Sequence, residues 1–146
     1  MTTSTNKFAT VARYLLGVVF FVFGLNGFLH FIPQPPMSGP PAAFAGAMVA
    51  TGYLFPLVKG TEVLSSILLL SNRYVPLALA LLAPVVVNIL AFHAFLAPSG
   101  LALPIVILAL QLVLAWSYRE QFSPMLQARN TPASAAPKSS RVHATV

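Results

Sequence analysis

The stretch LFPLVKGTEVLSSILLLSN, residues 54–72, decides how the chain is read. It is an apolar run of membrane grade, yet Lys59 and Glu62 stand inside it. An ionisable group in hydrocarbon costs roughly 2.5 to 3.5 kcal/mol on insertion scales, so such groups turn toward a bundle interior and toward each other. At i and i+3 on a helix the two side chains share one face, and Ser66 lies on the same stripe. The stretch predicts a buried helix with an internal ion pair, and the rest of the sequence is what surrounds it.

Composition points the same way. Of 146 residues, 58% are hydrophobic and 7% are charged, and the mean hydropathy is +0.84, which lies outside the range of ordinary soluble domains. At roughly 20 residues per span, the length holds about four spans and no second domain. The formal charge of +6 arises from eight Lys and Arg against two acids. Those cations are spread over flanks and tail, without the interleaved aromatics of a nucleic-acid surface, so they report topology and no nucleic-acid partner is expected. The absence of Cys removes thiol relays, disulfides, iron–sulfur clusters and Cys-based zinc sites. Any redox role then needs a bound cofactor or a partner.

Working outward, the expected fold is all-α: a membrane four-helix up-down bundle with spans at 14–31, 54–70, 75–96 and 101–118. The first apolar run is longer than the h-region of a signal peptide, and it is read as a retained span. Residues 1–6 are expected to fray. Pro33, Pro35, Pro36, Pro40 and Pro41 prevent a continuous helix after the first span. Residues 42–51 are too few to cross and are read as a short interfacial helix over the bundle mouth, with Phe44 and Met48 inward. Pro84 is expected to bend the third span. Residues 121–146 read as a disordered basic tail.

Lys7, Arg13, Arg73, Arg119, Arg129, Lys138 and Arg141 fall at the start, in the turn between the second and third spans, or in the tail. The positive-inside rule places both termini in the cytoplasm of a multi-pass inner-membrane protein, with Tyr14, Tyr74, Trp116 and Tyr118 as an aromatic belt on that side. Counted from the outer surface, Lys59 and Glu62 lie roughly 7 to 12 Å deep in the second span. Asn26 and His30 lie near the outer end of the first span, and Asn88 and His93 lie in the outer half of the third. Asn88 and His93 are five apart, about 140° around a helix, so both point inward only with help from the Pro84 bend. The candidate site is thus Glu62 and Lys59 as the reactive pair, with Asn26, His30, Asn88 and His93 as ligand-binding groups. The spacing matches no metal motif, and no metal is expected. The bland alternative is an ion pair that only fixes helix rotation, with Asn88 and Gln111 as interhelical hydrogen-bond groups.

The strings GLNGFLHF (24–31), TGYLFPLVKGTEV (51–63) and APVVVNILAFH (83–93) resemble the DoxX family of small four-span membrane proteins. The resemblance covers residues 11–129, and the Lys-Gly-Thr-Glu string is its most specific piece. It implies a link to terminal-oxidase and thiosulfate:quinone oxidoreductase assemblies, hence a quinone as cofactor and a redox protein as partner beside the lipid bilayer. Further copies of the chain are compatible with it. The leading expectation is a pocket that binds a quinone or similar amphipathic ring within a redox or stress-response assembly. Glu62 takes a proton there, Lys59 is its counter-ion, and His30 and Asn26 bond a carbonyl. A small proton-coupled transporter and a non-catalytic assembly protein are the alternatives.

Overall fold

The computed structural model describes residues 2–33 and 35–126. Helix α1 (Thr2–Leu29) is followed by α2 (Pro40–Ala50), α3 (Leu54–Leu70), α4 (Val75–Phe95), α5 (Ala102–Ser117) and the short α6 (Arg119–Phe122). Single 3-10 turns, Pro98–Gly100 and Ser123–Leu126, precede α5 and follow α6. No strand occurs among the described residues.

Helix α1 begins much earlier than the expected start at residue 14, because no Gly or Pro interrupts the chain before Gly17. It stops where His30 takes a φ of 52° and Pro33 follows. Asn26 closes that end: its Oδ1 accepts from the Ile32 amide at 2.6 Å, and its Nδ2 donates to the Ile32 carbonyl at 3.4 Å. Helix α3 ends in a Schellman turn. The Asn72 amide donates to the Leu69 carbonyl at 3.2 Å and the Arg73 amide to the Leu68 carbonyl at 3.0 Å, with Asn72 at a φ of 54°. The start of the expected tail is ordered. Residues Arg119–Leu126 continue as short helical turns, bent 76° from α5, and Phe122 packs on the core. The rest of the tail, from residue 127, lies outside the described residues.

Helix α1 packs on α3 and α5, and α4 packs on the same two helices, so the four long helices close a ring. They are antiparallel: Gly17 of α1 meets Leu70, whereas Gly24 meets Val63 and Gly27 meets Lys59. We call the end that holds Arg13, the 71–74 turn and Tyr118 the near end, and the opposite one the far end. Leu16, Phe20, Leu69, Leu82 and Leu114 are fully buried and pack the near half. Short α2 lies against α3, with the two axes at 89°.

Polarity runs opposite to that of a water-soluble bundle. Val11, Leu15, Val18, Leu64, Ile67, Leu77, Val87, Ile105, Val106 and Leu112 are exposed, while Arg13, Asn26, Glu62, Ser65, Ser66 and Gln111 are buried. Two helical stretches, Lys7–Leu29 and Val75–Phe95, are long and apolar enough to cross a membrane. With 17 and 16 residues, α3 and α5 reach that length only together with the bent segments Pro40–Ala50 and Arg119–Leu126.

Close approach of α1 and α3 depends on glycine. A Cβ at Gly24 would lie 2.9 Å from Val63 Cγ2 and 3.2 Å from the Val63 amide nitrogen. Replacement Gly24→Val is expected to destabilise the fold by about 1 to 3 kcal/mol through overpacking. Gly46 of α2 meets nothing within 4 Å, so Gly46→Ala is expected to be neutral or to stabilise by up to about 1 kcal/mol. Melting of the two variants in mild detergent checks both signs.

Candidate functional site

Helix α3 delivers Lys59 and Glu62 to the far half of the bundle. Lys59 Nζ donates to Glu62 Oε2 at 2.9 Å, with the Glu62 side chain 3% exposed and that of Lys59 21%. The lysine stem lies across Gly27, where a Cβ would come within 2.5 Å of Lys59 Cγ. A larger residue in α1 would push the ammonium away from its carboxylate. Lys59 Nζ also stands 5.9 Å from the Phe55 ring centroid, a cation–π distance. It is the one ion pair among the described residues.

The pair forms one wall of a cavity of about 260 Å³ enclosed by α1, α3, α4 and α5. His93 lines the same cavity from α4, and Val19, Phe20, Phe23, Ile89, Leu103 and Ile107 complete the lining. His93 Nδ1 donates to the Ile89 carbonyl at 2.9 Å, which leaves Nε2 as the acceptor of the neutral ring. Two neighbours hold the imidazole in place. Its edge meets the Phe92 ring with centroids 5.1 Å apart, and its Cδ2 and Nε2 lie so close to Gly100 that a Cβ there would fall at 2.7 and 3.1 Å. Phe23 of α1 and Leu103 of α5 line the cavity and are 39% and 47% exposed, so its mouth opens sideways between those helices.

Of the six residues expected at the site, the structure brings three together: Lys59, Glu62 and His93. Asn26 is buried, but both of its amide groups bond Ile32 at the end of α1. His30 is exposed in the connection that leaves that helix. Asn88 is exposed too, in a separate groove of about 580 Å³ between α3 and α4. The 140° offset from His93 decides this placement, since Pro84 stays within a continuous α4. Phe44 and Met48 of α2 line the Asn88 groove and not the Glu62 cavity, so α2 covers the flank of the bundle and not the mouth. Phe44 reaches α4 there, 5.5 Å from the Phe92 ring.

The apolar lining was not singled out from the sequence, yet Val19 with Phe23, Ile89 with His93, and Leu103 with Ile107 are each four apart and so lie on one helix face. Below the cavity the buried face of α3 stays polar. Ser66 Oγ donates to the Val63 carbonyl at 2.7 Å, and Gln111 Nε2 donates to the Leu79 carbonyl at 3.1 Å. Ser65 Oγ and Gln111 Oε1 are buried with no hydrogen-bond partner among the described residues. No cluster of three or more His, Asp or Glu suited to a metal occurs among the described residues. No family model, curated protein or solved structure matches the chain.

Removing one partner of a buried ion pair leaves an uncompensated charge, typically at a cost of about 3 to 5 kcal/mol, whereas replacing both with apolar groups of similar volume is often neutral. Lys59→Met alone is therefore expected to lower the melting temperature in detergent sharply. The double variant Lys59→Met with Glu62→Leu is expected to recover most of that loss.

Proposed function

We propose that the chain is a four-span inner-membrane protein of DoxX type, with both termini in the cytoplasm, whose far-half cavity binds an amphipathic single-ring ligand of the quinone class. Three observations support the membrane part. Leucine and valine face outward while serine, glutamine, glutamate and arginine are buried, which is how a bundle in lipid is built. Arg13, Arg73 and Arg119 gather at the near end, whereas the far-end connections 30–53 and 96–101 carry no Lys, Arg, Asp or Glu. Helices α3 and α5, at about 26 and 24 Å long, are slightly short of the roughly 30 Å hydrocarbon core, and the bent segments beside them extend their reach.

The observation that carries the ligand reading is the shared cavity of Lys59, Glu62 and His93. An apolar cavity of about 150 Å³ holds benzene, so the 260 Å³ here has room for a substituted ring and not for an isoprenoid tail. The tail has an exit through the mouth between Phe23 and Leu103. When bound, a quinol and quinone couple supplies paired electron and proton exchange. Lys59 offers an ammonium donor to a ring oxygen that accepts, and Glu62 and His93 Nε2 offer acceptors to a ring hydroxyl. Electron exchange would need a redox partner, since the chain has no Cys to serve as a thiol relay or to hold an iron–sulfur centre. The buried Ser65, Ser66 and Gln111 below the cavity favour a second reading, a proton-coupled carrier in which these groups continue the path from Glu62.

Topology is accessible because the chain lacks native Cys. A membrane-impermeant maleimide is expected to label Ser38→Cys and Ser99→Cys in intact cells, and Ser71→Cys only after permeabilisation. Labelling of Ser71→Cys in intact cells overturns the orientation. For the ligand, mass spectrometry of extracts from protein purified in mild detergent is expected to show a quinone with the wild type. Glu62→Gln, confirmed as folded, should show it depleted by about tenfold, the loss of one charge-assisted hydrogen bond. Equal content in the two proteins removes the proton role of Glu62, and an empty wild type removes the quinone reading.

A further inference from the structure

A second polar site lies at the other end of the bundle, built around Arg13. This arginine is 6% exposed, and its Nη1 donates to the carbonyls of Leu69 and, at 3.5 Å, of Leu70. Those carbonyls belong to the last turn of α3, where intrahelical donors run out, and the Leu69 carbonyl accepts from the Asn72 amide and from Arg13 together. The compensation is partial. A helix C-terminus presents about half a negative charge, and no carboxylate lies within ion-pair distance of Arg13 among the described residues. The Tyr14 ring adds a cation–π contact at 4.5 Å, and the remaining positive charge faces the space that adjoins it.

That space is a cavity of about 350 Å³ lined by Thr10, Arg13, Asn72, Ser117, Tyr118 and Gln121. Its walls are rich in hydrogen-bonding groups, and the Tyr118 hydroxyl donates to Asn72 Oδ1 at 3.4 Å, which leaves the Asn72 Nδ2 group as the donor of that wall. A second cavity of about 620 Å³ shares the Asn72, Tyr118 and Gln121 wall. Its remaining lining is different: Tyr74, Val75, Pro76 and Leu77, with Leu77 52% and Tyr74 72% exposed on the bundle perimeter. An inner chamber suited to an anion thus adjoins an outer chamber suited to a glycerol backbone and the first acyl carbons. Both volumes lie within the range of ligand sites.

We propose that this two-chamber cleft binds the phosphate headgroup of an anionic phospholipid from the cytoplasmic leaflet. Arg13 supplies the charge and the Asn72 Nδ2 group supplies donors, with the Tyr118 hydroxyl orienting that amide through its bond to Oδ1. The outer chamber, mixed in polarity with Val75, Pro76 and Leu77 on its perimeter side, selects a lipid over free phosphate, which shares the headgroup chemistry but leaves that chamber unfilled. Arg73 and Arg119 flank the same end and raise the local concentration of anionic lipid. The inference rests on the four-span reading above, with the near end cytoplasmic, and is independent of the quinone reading.

The test is native mass spectrometry of the full chain in detergent micelles, with phosphatidylglycerol, phosphatidylcholine and inorganic phosphate as separate probes. Phosphatidylglycerol is expected to stay bound at activation energies that strip phosphatidylcholine, and millimolar phosphate is expected not to displace it. Arg13→Gln removes the charge but also the link to α3, so the decisive variant is Asn72→Gly with Tyr118→Phe. Glycine accepts the positive φ at position 72, so this double variant should keep the wild-type melting temperature and lose about tenfold in phosphatidylglycerol retention. Equal retention of the two lipids, or an unchanged double variant, overturns the proposal. Displacement by inorganic phosphate overturns the lipid assignment and leaves a free-anion site. Binding in detergent does not depend on orientation, so a selective site combined with Ser71→Cys labelled from outside would overturn the leaflet and the four-span orientation, and not the cleft itself.

Discussion

A lysine and a glutamate enclosed by apolar helices impose the constraint that the rest of this bundle satisfies. Each charge alone would cost several kcal/mol in that setting, and at 2.9 Å each is the other's remedy. The pair fits only because α1 comes close, and α1 comes close only because Gly24 and Gly27 present no side chain to Val63 and Lys59. The ion pair therefore sets the rotation of α3, the separation of α1 and α3, and the residues that α4 and α5 turn toward the same space. His93 adds to the lining from α4, held by the Ile89 carbonyl and Gly100.

The two halves of the bundle are built differently. The near half is packed with Leu16, Phe20, Leu69, Leu82 and Leu114, all fully buried. The far half encloses a cavity instead. If the bundle stands in lipid as proposed, the hydrophobic effect gives no driving force for helix association there, so close packing and interhelical hydrogen bonds would hold it together. The packed half supplies that cohesion, and Gln111 adds to it by reaching from α5 to the Leu79 carbonyl of α4. This division lets the other half tolerate a cavity.

Much of the architecture was legible because charges and prolines interrupt apolar runs at few places. Helix α3 begins and ends where its sequence says, at Leu54 and Leu70, and its ion pair follows from the spacing alone. His93 and Asn88 show where legibility stops. Both lie at a plausible depth, but helical phase separates them by about 140°, and a proline that leaves α4 continuous does not bring them back together. Asn26 and His30 fail for another reason. Their roles depend on how the chain leaves α1, and the Asn26 bonds to Ile32 form only once the backbone has turned. Arg13 was read as a flanking charge that reports orientation. Its burial was invisible because the carbonyls that receive it belong to a helix end more than fifty residues away.

Helix α3 thereby acquires a role that its central charges alone do not suggest. One buried face carries Glu62 toward the far cavity, Ser65 and Ser66 through the middle, and the Leu69 and Leu70 carbonyls to Arg13 at the near end. Each end is fixed to α1, through Gly27 under the Lys59 stem at one and through Arg13 at the other. A shift of α3 along its axis would have to break both attachments together, because a rigid helix transmits displacement along its length. The near cleft and the far cavity therefore share one element, the 17 residues of α3. On the proposed lipid site, a headgroup that held Arg13 against the end of α3 would bear on the same helix that carries the Lys59 and Glu62 pair.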